Sequence, residues 1–248
     1  MTAILIFVGL LISFTIIEFL FLKFNGDPVP PPDIPRGVTT YGEGDPLNYV
    51  VMGDSTAVGQ GGDYTTGIAT STARHLATAK QVMMTNVAVS GARAKDVFEK
   101  QLSDAIKAKP DVVLIIVGSN DITHITKTSS IKQSITKTVT QLIGSNCEVK
   151  IILTGSAEMG AVPRLPQPLR FVAGQRVKVV NSIFKEIVNT NQLTFSPIAE
   201  KTGETFKKDH SLFAKDNFHP NSKGYDVWIP VISTSLDEAI TTQPSHCK

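Results

Sequence analysis

Five short apolar runs, Asn48–Met52, Val82–Val89, Val112–Val117, Val149–Leu153 and Leu193–Pro197, alternate with five longer segments that carry the helical period. The helical segments are Thr66–Ala79, Ala94–Lys109, Ile131–Ile143, Gly174–Asn189 and Ser222–Ile240. Alternation of this kind implies parallel strand pairing, because each crossover carries a helix that must bury its apolar stripe against a sheet face. The run Val112-Val113-Leu114-Ile115-Ile116-Val117 has no polar residue in it, the pattern of a strand covered on both sides. The expected fold class is therefore α/β: a three-layer α/β/α sandwich, flavodoxin-like, around a mostly parallel sheet of about five strands. Roughly 200 residues are enough for one well-buried domain and too few for two.

In open α/β sheets the working residues gather beyond the carboxyl ends of the strands. Four segments sit at such places. Gly53-Asp54-Ser55-Thr56 follows the first run and puts a serine on a sharp strand-to-loop turn, where a base reaches its hydroxyl and the following backbone N–H faces a developing oxyanion. Ser90-Gly91-Ala92-Arg93 follows the second run, with a glycine able to bring its N–H close to a substrate oxygen. Gly118-Ser119-Asn120-Asp121 follows the third and supplies an amide donor at the strand end. Asp216-Asn217-Phe218-His219-Pro220 lies just before the last helical segment and combines an imidazole base with a carboxylate three residues upstream, close enough to hold its other nitrogen. Singly, each also reads as ordinary turn, cap or surface-loop chemistry. Their order and their positions at strand ends carry the functional reading.

Taken in that order, the four segments resemble the SGNH (GDSL-type) hydrolase family, over roughly residues 47–239. The resemblance implies Ser55 as nucleophile, His219 as general base and then acid, and Asp216 as its orienting partner. It implies an oxyanion hole made from the Ser55 N–H, the Gly91 N–H and the Asn120 side chain. The expected activity is that of a serine-dependent carboxylic-ester hydrolase working through an acyl-enzyme on short acyl esters, of envelope glycans or lipids, with no cofactor and no metal. Three alternatives stay open. An O-acyltransferase would use the same triad with a sugar hydroxyl in place of water. A metal-dependent phosphoesterase would recruit His124 with Asp54, Asp121, Asp216 and His219, and would leave Ser55 idle. A catalytically silent envelope-binding module would keep the fold without turnover.

The amino-terminal run from Ala3 to Leu22 contains a single charge, Glu18, and is long enough to span a bilayer core. It is expected as an uncleaved membrane anchor within a segment covering residues 1–24, with a cleaved signal segment as the competitor, and with the catalytic domain outside the cytoplasm. Residues 25–46, rich in proline from Pro28 to Pro35, are expected as a semi-rigid linker, followed by the hydrolase domain over residues 47–242 and a tail over 243–248. The connection Ala161–Phe171 is long and proline-bearing; it reads equally as a surface loop whose apolar residues cover the sheet edge and as a functional loop in which Leu165, Leu169 and Phe171 line an acyl pocket and Arg164 or Arg170 meets an anionic group. Cys147 and Cys247 are free to pair in an oxidising compartment, although nothing in their spacing requires it. A net charge of +2 with dispersed signs provides no basic stripe, so nucleic acid is not an expected partner.

Overall fold

The structure, a computed structural model, describes residues 26–247 together with Ser13. In chain order the strands are β1 (Val38–Tyr41), β2 (Pro46–Gly53), β3 (Gln81–Asn86), β4 (Val112–Ile116), β5 (Lys150–Thr154) and β6 (Thr194–Ser196). The helices are α1 (Ser55–Val58), α2 (Ile68–Leu76), α3 (Ala94–Asp96), α4 (Leu102–Lys107), α5 (Ser119–Thr123), α6 (Thr128–Ser145), α7 (Leu169–Thr190), α8 (Ile198–Lys208) and α9 (Ser222–Thr242). The strands form one six-stranded sheet in the order β1-β3-β2-β4-β5-β6. Every neighbouring pair is parallel except β1 with β3.

The sheet centre is where apolar continuity is greatest. All five residues of β4 are buried, and Tyr49, Val50, Val51 and Met52 of β2 are at most 1 % exposed. The two strands pair with Tyr49 opposite Val112 and Val51 opposite Leu114. Helices α2, α8 and α9 pack together on one side, and α3, α4, α6 and α7 on the other, giving the three layers. Each outer helix turns an apolar stripe inward, as with Ile131, Ile135, Val139 and Leu142 of α6 and Val177, Val180, Phe184 and Ile187 of α7.

All five expected strands and all five expected helices are present, and the differences lie at their edges. The sixth strand, β1, falls in the segment expected as a linker: Val38–Tyr41 pairs antiparallel with β3, between Gly37 at φ +82° and Gly42 at φ +68°. A four-residue edge strand with half-exposed positions has too little periodicity to stand out from its Pro/Gly-rich surroundings. Helix α8 was also not expected. Its buried positions, Ile198, Ala199, Thr202, Gly203 and Phe206, do follow the helical period, but a central glycine and two threonines weaken its propensity. Helix α7 begins at Leu169, so the long connection ends several residues earlier than expected. The segment Ala94–Lys107 is interrupted by a wide turn at Val97–Gln101, where the Leu102 N–H reaches back to the Val97 carbonyl.

Residues 3–22, the expected membrane anchor, lie outside the described residues apart from Ser13. No helix among the described residues is long and apolar enough to cross a membrane. The start of the expected linker is tied to the domain: the Asp27 N–H donates to the Lys215 carbonyl, and Gln60 Nε2 donates to the Val29 carbonyl. At the other end the two cysteines are paired, Cys147 with Cys247, across a sequence separation of 100 residues. The tail is further held by Gln243, whose side-chain amide accepts from the Ile151 N–H at 2.9 Å and donates to the Ile151 carbonyl at 3.0 Å.

Candidate active site

Ser55 is the first residue of α1 and stands directly above the end of β2. Gly53 makes that position possible. It lies at φ +141°, and a Cβ there would sit 1.9 Å from the Ile116 carbonyl oxygen, so only glycine lets the central strands approach and turn at this point. The turn is then fixed by side chains. Asp54 caps α1 by accepting the Thr56 N–H at 2.9 Å, and the Asp54 N–H itself donates to the Ile116 carbonyl. From the opposite side, Gln101 pairs with the Gly53 backbone in both directions, accepting its N–H and donating to its carbonyl, each at 2.8 Å. The wide turn at Val97–Gln101 delivers that buried amide, and no motif in the sequence announced it.

His219 and Asp216 arrive on the loop before α9. Asp216 Oδ1 accepts the N–H groups of Phe218 and His219, both at 3.0 Å, which folds the loop into a tight turn with Asn217 in the left-handed region at φ +54°. Asp216 Oδ2 lies 2.6 Å from His219 Nδ1, and His219 Nε2 lies 3.0 Å from Ser55 Oγ. A carboxylate only accepts, so Nδ1 carries the hydrogen and Nε2 is left as the acceptor facing the serine hydroxyl. Burial alone would raise the Asp216 pKa, but the hydrogen bonds from the His219 ring and from the Phe218 and His219 N–H groups outweigh it and hold the carboxyl below its ordinary range. The loop is anchored from outside as well. Arg164 donates through its N–H to the Asn217 carbonyl and through Nη1 to the Asp216 carbonyl.

The third set of groups sits at the next strand ends, and of these Asn120 lines the same cavity as Ser55. The Asn120 side chain donates from Nδ2 to the Ala92 carbonyl at 3.1 Å, which orients the amide and leaves its second N–H available. Its neighbour Asp121, fully buried, accepts the Ala94 N–H at 2.8 Å, so two adjacent residues clamp the segment that carries Gly91. The N–H groups of Ser55 and Gly91 have no acceptor among the described residues. Ser55, Asn120 and His219 line one cavity of about 500 Å³, counting the part open to solvent. Gly91 is not among its lining residues; it borders a separate depression with Ser90 and Gln101.

The cavity wall is largely apolar and aromatic, with Met159, Val162, Phe206, Phe213, Phe218 and Trp228, and it also carries Ser119, Glu158 and Thr202. Phe206 stacks tilted on Trp228 with ring centroids 5.1 Å apart and meets Phe213 edge-on at 5.4 Å. These positions differ from the expected acyl-pocket set. Leu165 faces a neighbouring groove, while Leu169 and Phe171 are 38 % and 61 % exposed at the start of α7. Arg170 is spent on its own loop, donating to the carbonyls of Leu165 and Pro163. The wall comes instead from α8, α9 and the turn after β5, whose aromatic residues carry no signal in sequence beyond ordinary core composition. Asp54, Asp121, His124, Asp216 and His219 do not converge: no three His, Cys, Asp or Glu side chains among the described residues are grouped to hold a metal ion.

Comparison with known proteins gives a consistent picture. Residues 51–227 match the model of the GDSL-like lipase/acylhydrolase family. A GDSL-like esterase of Mycobacterium tuberculosis is 23 % identical over 202 residues, an alignment covering 79 % of this chain and 63 % of that protein. The chain thus spans less than two thirds of that relative's length. Among solved structures, TesA superposes with a TM-score of 0.64 at 16 % identity, covering 77 % of this chain and 99 % of that one. A putative acylhydrolase from Bacteroides fragilis gives 0.61 at 20 % identity over 84 % and 90 % of the two chains. A mutant of an acetyl-xylooligosaccharide esterase from Geobacillus gives 0.62 at 19 % identity over 79 % and 95 %.

The environment of Asp54 generates a stability prediction. Burial raises its pKa to about 6 against the opposing hydrogen bonds from Thr56. The folded protein therefore binds a proton here that the unfolded chain has already lost, and stability falls as pH rises from the ordinary carboxylate range to about 6. Asp54→Asn keeps a capping oxygen and removes the buried charge. The variant should gain on the order of 2 kcal/mol above pH 6, a melting-temperature rise of roughly 5 °C, and the gain should vanish as pH falls below the ordinary carboxylate value. Thermal melts from pH 4 to pH 8 check it; a gain independent of pH would show that the charge is not the burden.

Proposed function

The chain belongs to the GDSL-like lipase/acylhydrolase family, and from that premise we propose that it is a serine-dependent carboxylic-ester hydrolase with Ser55 as nucleophile. The observation that carries the reading is the continuous relay Asp216 Oδ2–His219 Nδ1 at 2.6 Å and His219 Nε2–Ser55 Oγ at 3.0 Å. The relay supports the following sequence of steps. His219 Nε2 takes the hydroxyl proton as Ser55 Oγ attacks the ester carbonyl carbon, and Asp216 stabilises the imidazolium that results. The carbonyl oxygen becomes an oxyanion that accepts from the Ser55 N–H and the free N–H of Asn120, both of which line the serine cavity; the Gly91 N–H, which lacks an acceptor but borders a neighbouring depression, is the proposed third donor. As the tetrahedral species collapses, His219 returns the proton to the departing alkoxide, leaving an ester between the acyl group and Ser55. Water, deprotonated by His219, repeats the sequence and releases the acid.

The substrate reading is an ester with a short acyl group on an envelope glycan or lipid. The acyl part is supported by Phe206, Phe213 and Trp228, which line the same cavity as Ser55 and offer an acyl chain apolar surface. An extracytoplasmic location, with residues 3–22 as the anchor, is supported by the Cys147–Cys247 pairing, since such bonds persist in oxidising compartments.

Two substitutions test the chemistry. Ser55→Ala should fold normally and lower the hydrolysis of p-nitrophenyl acetate by at least about 10³-fold, while a variant keeping half the wild-type rate would remove the serine from the mechanism. Asn120→Ala should lower kcat by about 10²–10³-fold with a much smaller change in KM, because its donor acts on charge that exists only after attack. A change confined to KM would make Asn120 a ground-state binding residue instead.

A further inference from the structure

We propose that the alcohol half of the substrate is a hydroxylated, sugar-sized group that lies in the groove beside His219 and donates a hydroxyl hydrogen bond to Nε2 of His124. The inference rests on the ester-hydrolase reading and assigns the two sides of the scissile bond to two different spaces.

Two spaces meet at the catalytic histidine. The aromatic cavity is lined by Ser55, Asn120, Phe218 and His219 among others. A more open groove of about 660 Å³, counting its solvent-facing part, shares Asn120, Phe218 and His219 but not Ser55. In the acyl-enzyme the acyl carbon is bonded to Ser55 Oγ, so the acyl group occupies the space that Ser55 lines. The leaving oxygen takes its proton from His219 Nε2 and departs on the histidine side. The groove that holds His219 without Ser55 is therefore the place for the alcohol.

The chemistry of that groove selects among alcohols. His124 terminates α5, and its Nδ1 lies 2.8 Å from the Asn120 carbonyl oxygen. A carbonyl only accepts, so Nδ1 carries the hydrogen, and in the neutral ring Nε2 is a bare acceptor. That nitrogen has no hydrogen-bond partner among the described residues. His124 is exposed, so water satisfies that nitrogen in the free enzyme; a bound alcohol that covers it keeps the bond only if it bears O–H or N–H, and a plain hydrocarbon alcohol would displace the water without replacing it. The groove's apolar lining comes from Leu165 and from the Phe218 ring, which stands edge-on to His219 at 5.0 Å, and Thr123, Arg164 and Asp216 complete it with polar groups. An acceptor, polar side chains and apolar surface within one groove match a ring with an apolar face and a hydroxyl rim. The backbone carbonyl that fixes the His124 ring belongs to Asn120, so the same short helix orients an oxyanion donor and the alcohol-side acceptor.

The test compares two alkyl acetates that differ in the alcohol alone, 6-O-acetylglucose and ethyl acetate, using the full chain. The readout is the ratio of their kcat/KM values in wild type, His124→Phe and His124→Gln. The phenylalanine variant keeps a ring without an acceptor, and the ratio should fall about five- to tenfold, the worth of one hydrogen bond. The glutamine variant restores an acceptor and should recover most of the ratio. An unchanged ratio in His124→Phe, including an equal loss on both esters, would overturn the proposal and reduce His124 to a helix cap that steadies Asn120. The same plates carry Ser55→Ala on p-nitrophenyl acetate: turnover that survives there overturns the ester-hydrolase reading itself and the alcohol assignment with it.

Discussion

The close approach of Gly53 to the Ile116 carbonyl is the contact on which the rest of the site depends. β2 and β4 are the central pair of the sheet, and they come together at their carboxyl ends with no room for a side chain between them. That closeness ends β2 abruptly and hands the chain to a four-residue helix whose first residue is Ser55. A side chain at position 53 would force the strands apart where Asp54 donates to Ile116 and where Gln101 grips the Gly53 backbone. The serine would then lose its register with a histidine that arrives from 164 residues away in sequence.

Around that fixed point the other working loops are tied to one another rather than left free. Asn120 and Asp121 bond to the carbonyl of Ala92 and the N–H of Ala94, so the third strand-end segment sets the position of the second. Arg164 holds the backbone of the Asp216–His219 turn, and the Asp27 N–H holds the carbonyl of Lys215 just before it. Tyr225, fully buried in α9, donates to the Gln60 carbonyl and joins the helix after His219 to the loop after Ser55. Preorganisation of this kind matters for ester hydrolysis, where donors and base must already be in place when charge develops.

Much of this was legible in the sequence because it rests on local chemistry. The apolar runs ending in Gly53, Val117 and the segment before Gly91 mark parallel strands by composition, and Asp216-Asn217-Phe218-His219 carries its own turn. What was not legible depends on contacts between distant segments. Gln101 looks like any polar position on a helix until the wide turn aims it at Gly53. Phe206 and Trp228 look like core residues until α8 and α9 are seen to close a cavity. Leu169 and Phe171 stand out in sequence as apolar positions on a long connection, and the early start of α7 carries them out to solvent. β1 carries no signature of its own because a short edge strand derives its structure from its partner β3 and hardly at all from its own pattern.

The central claim is that Ser55 becomes covalently acylated. Acid-quenching the full chain within the first turnovers of p-nitrophenyl acetate, followed by peptide mass mapping, tests it without relying on any substitution. The account predicts one acetyl group, carried on the peptide that contains Ser55 and lost on longer incubation. Release of p-nitrophenol with no adduct, or with the acetyl group on another residue, would contradict it.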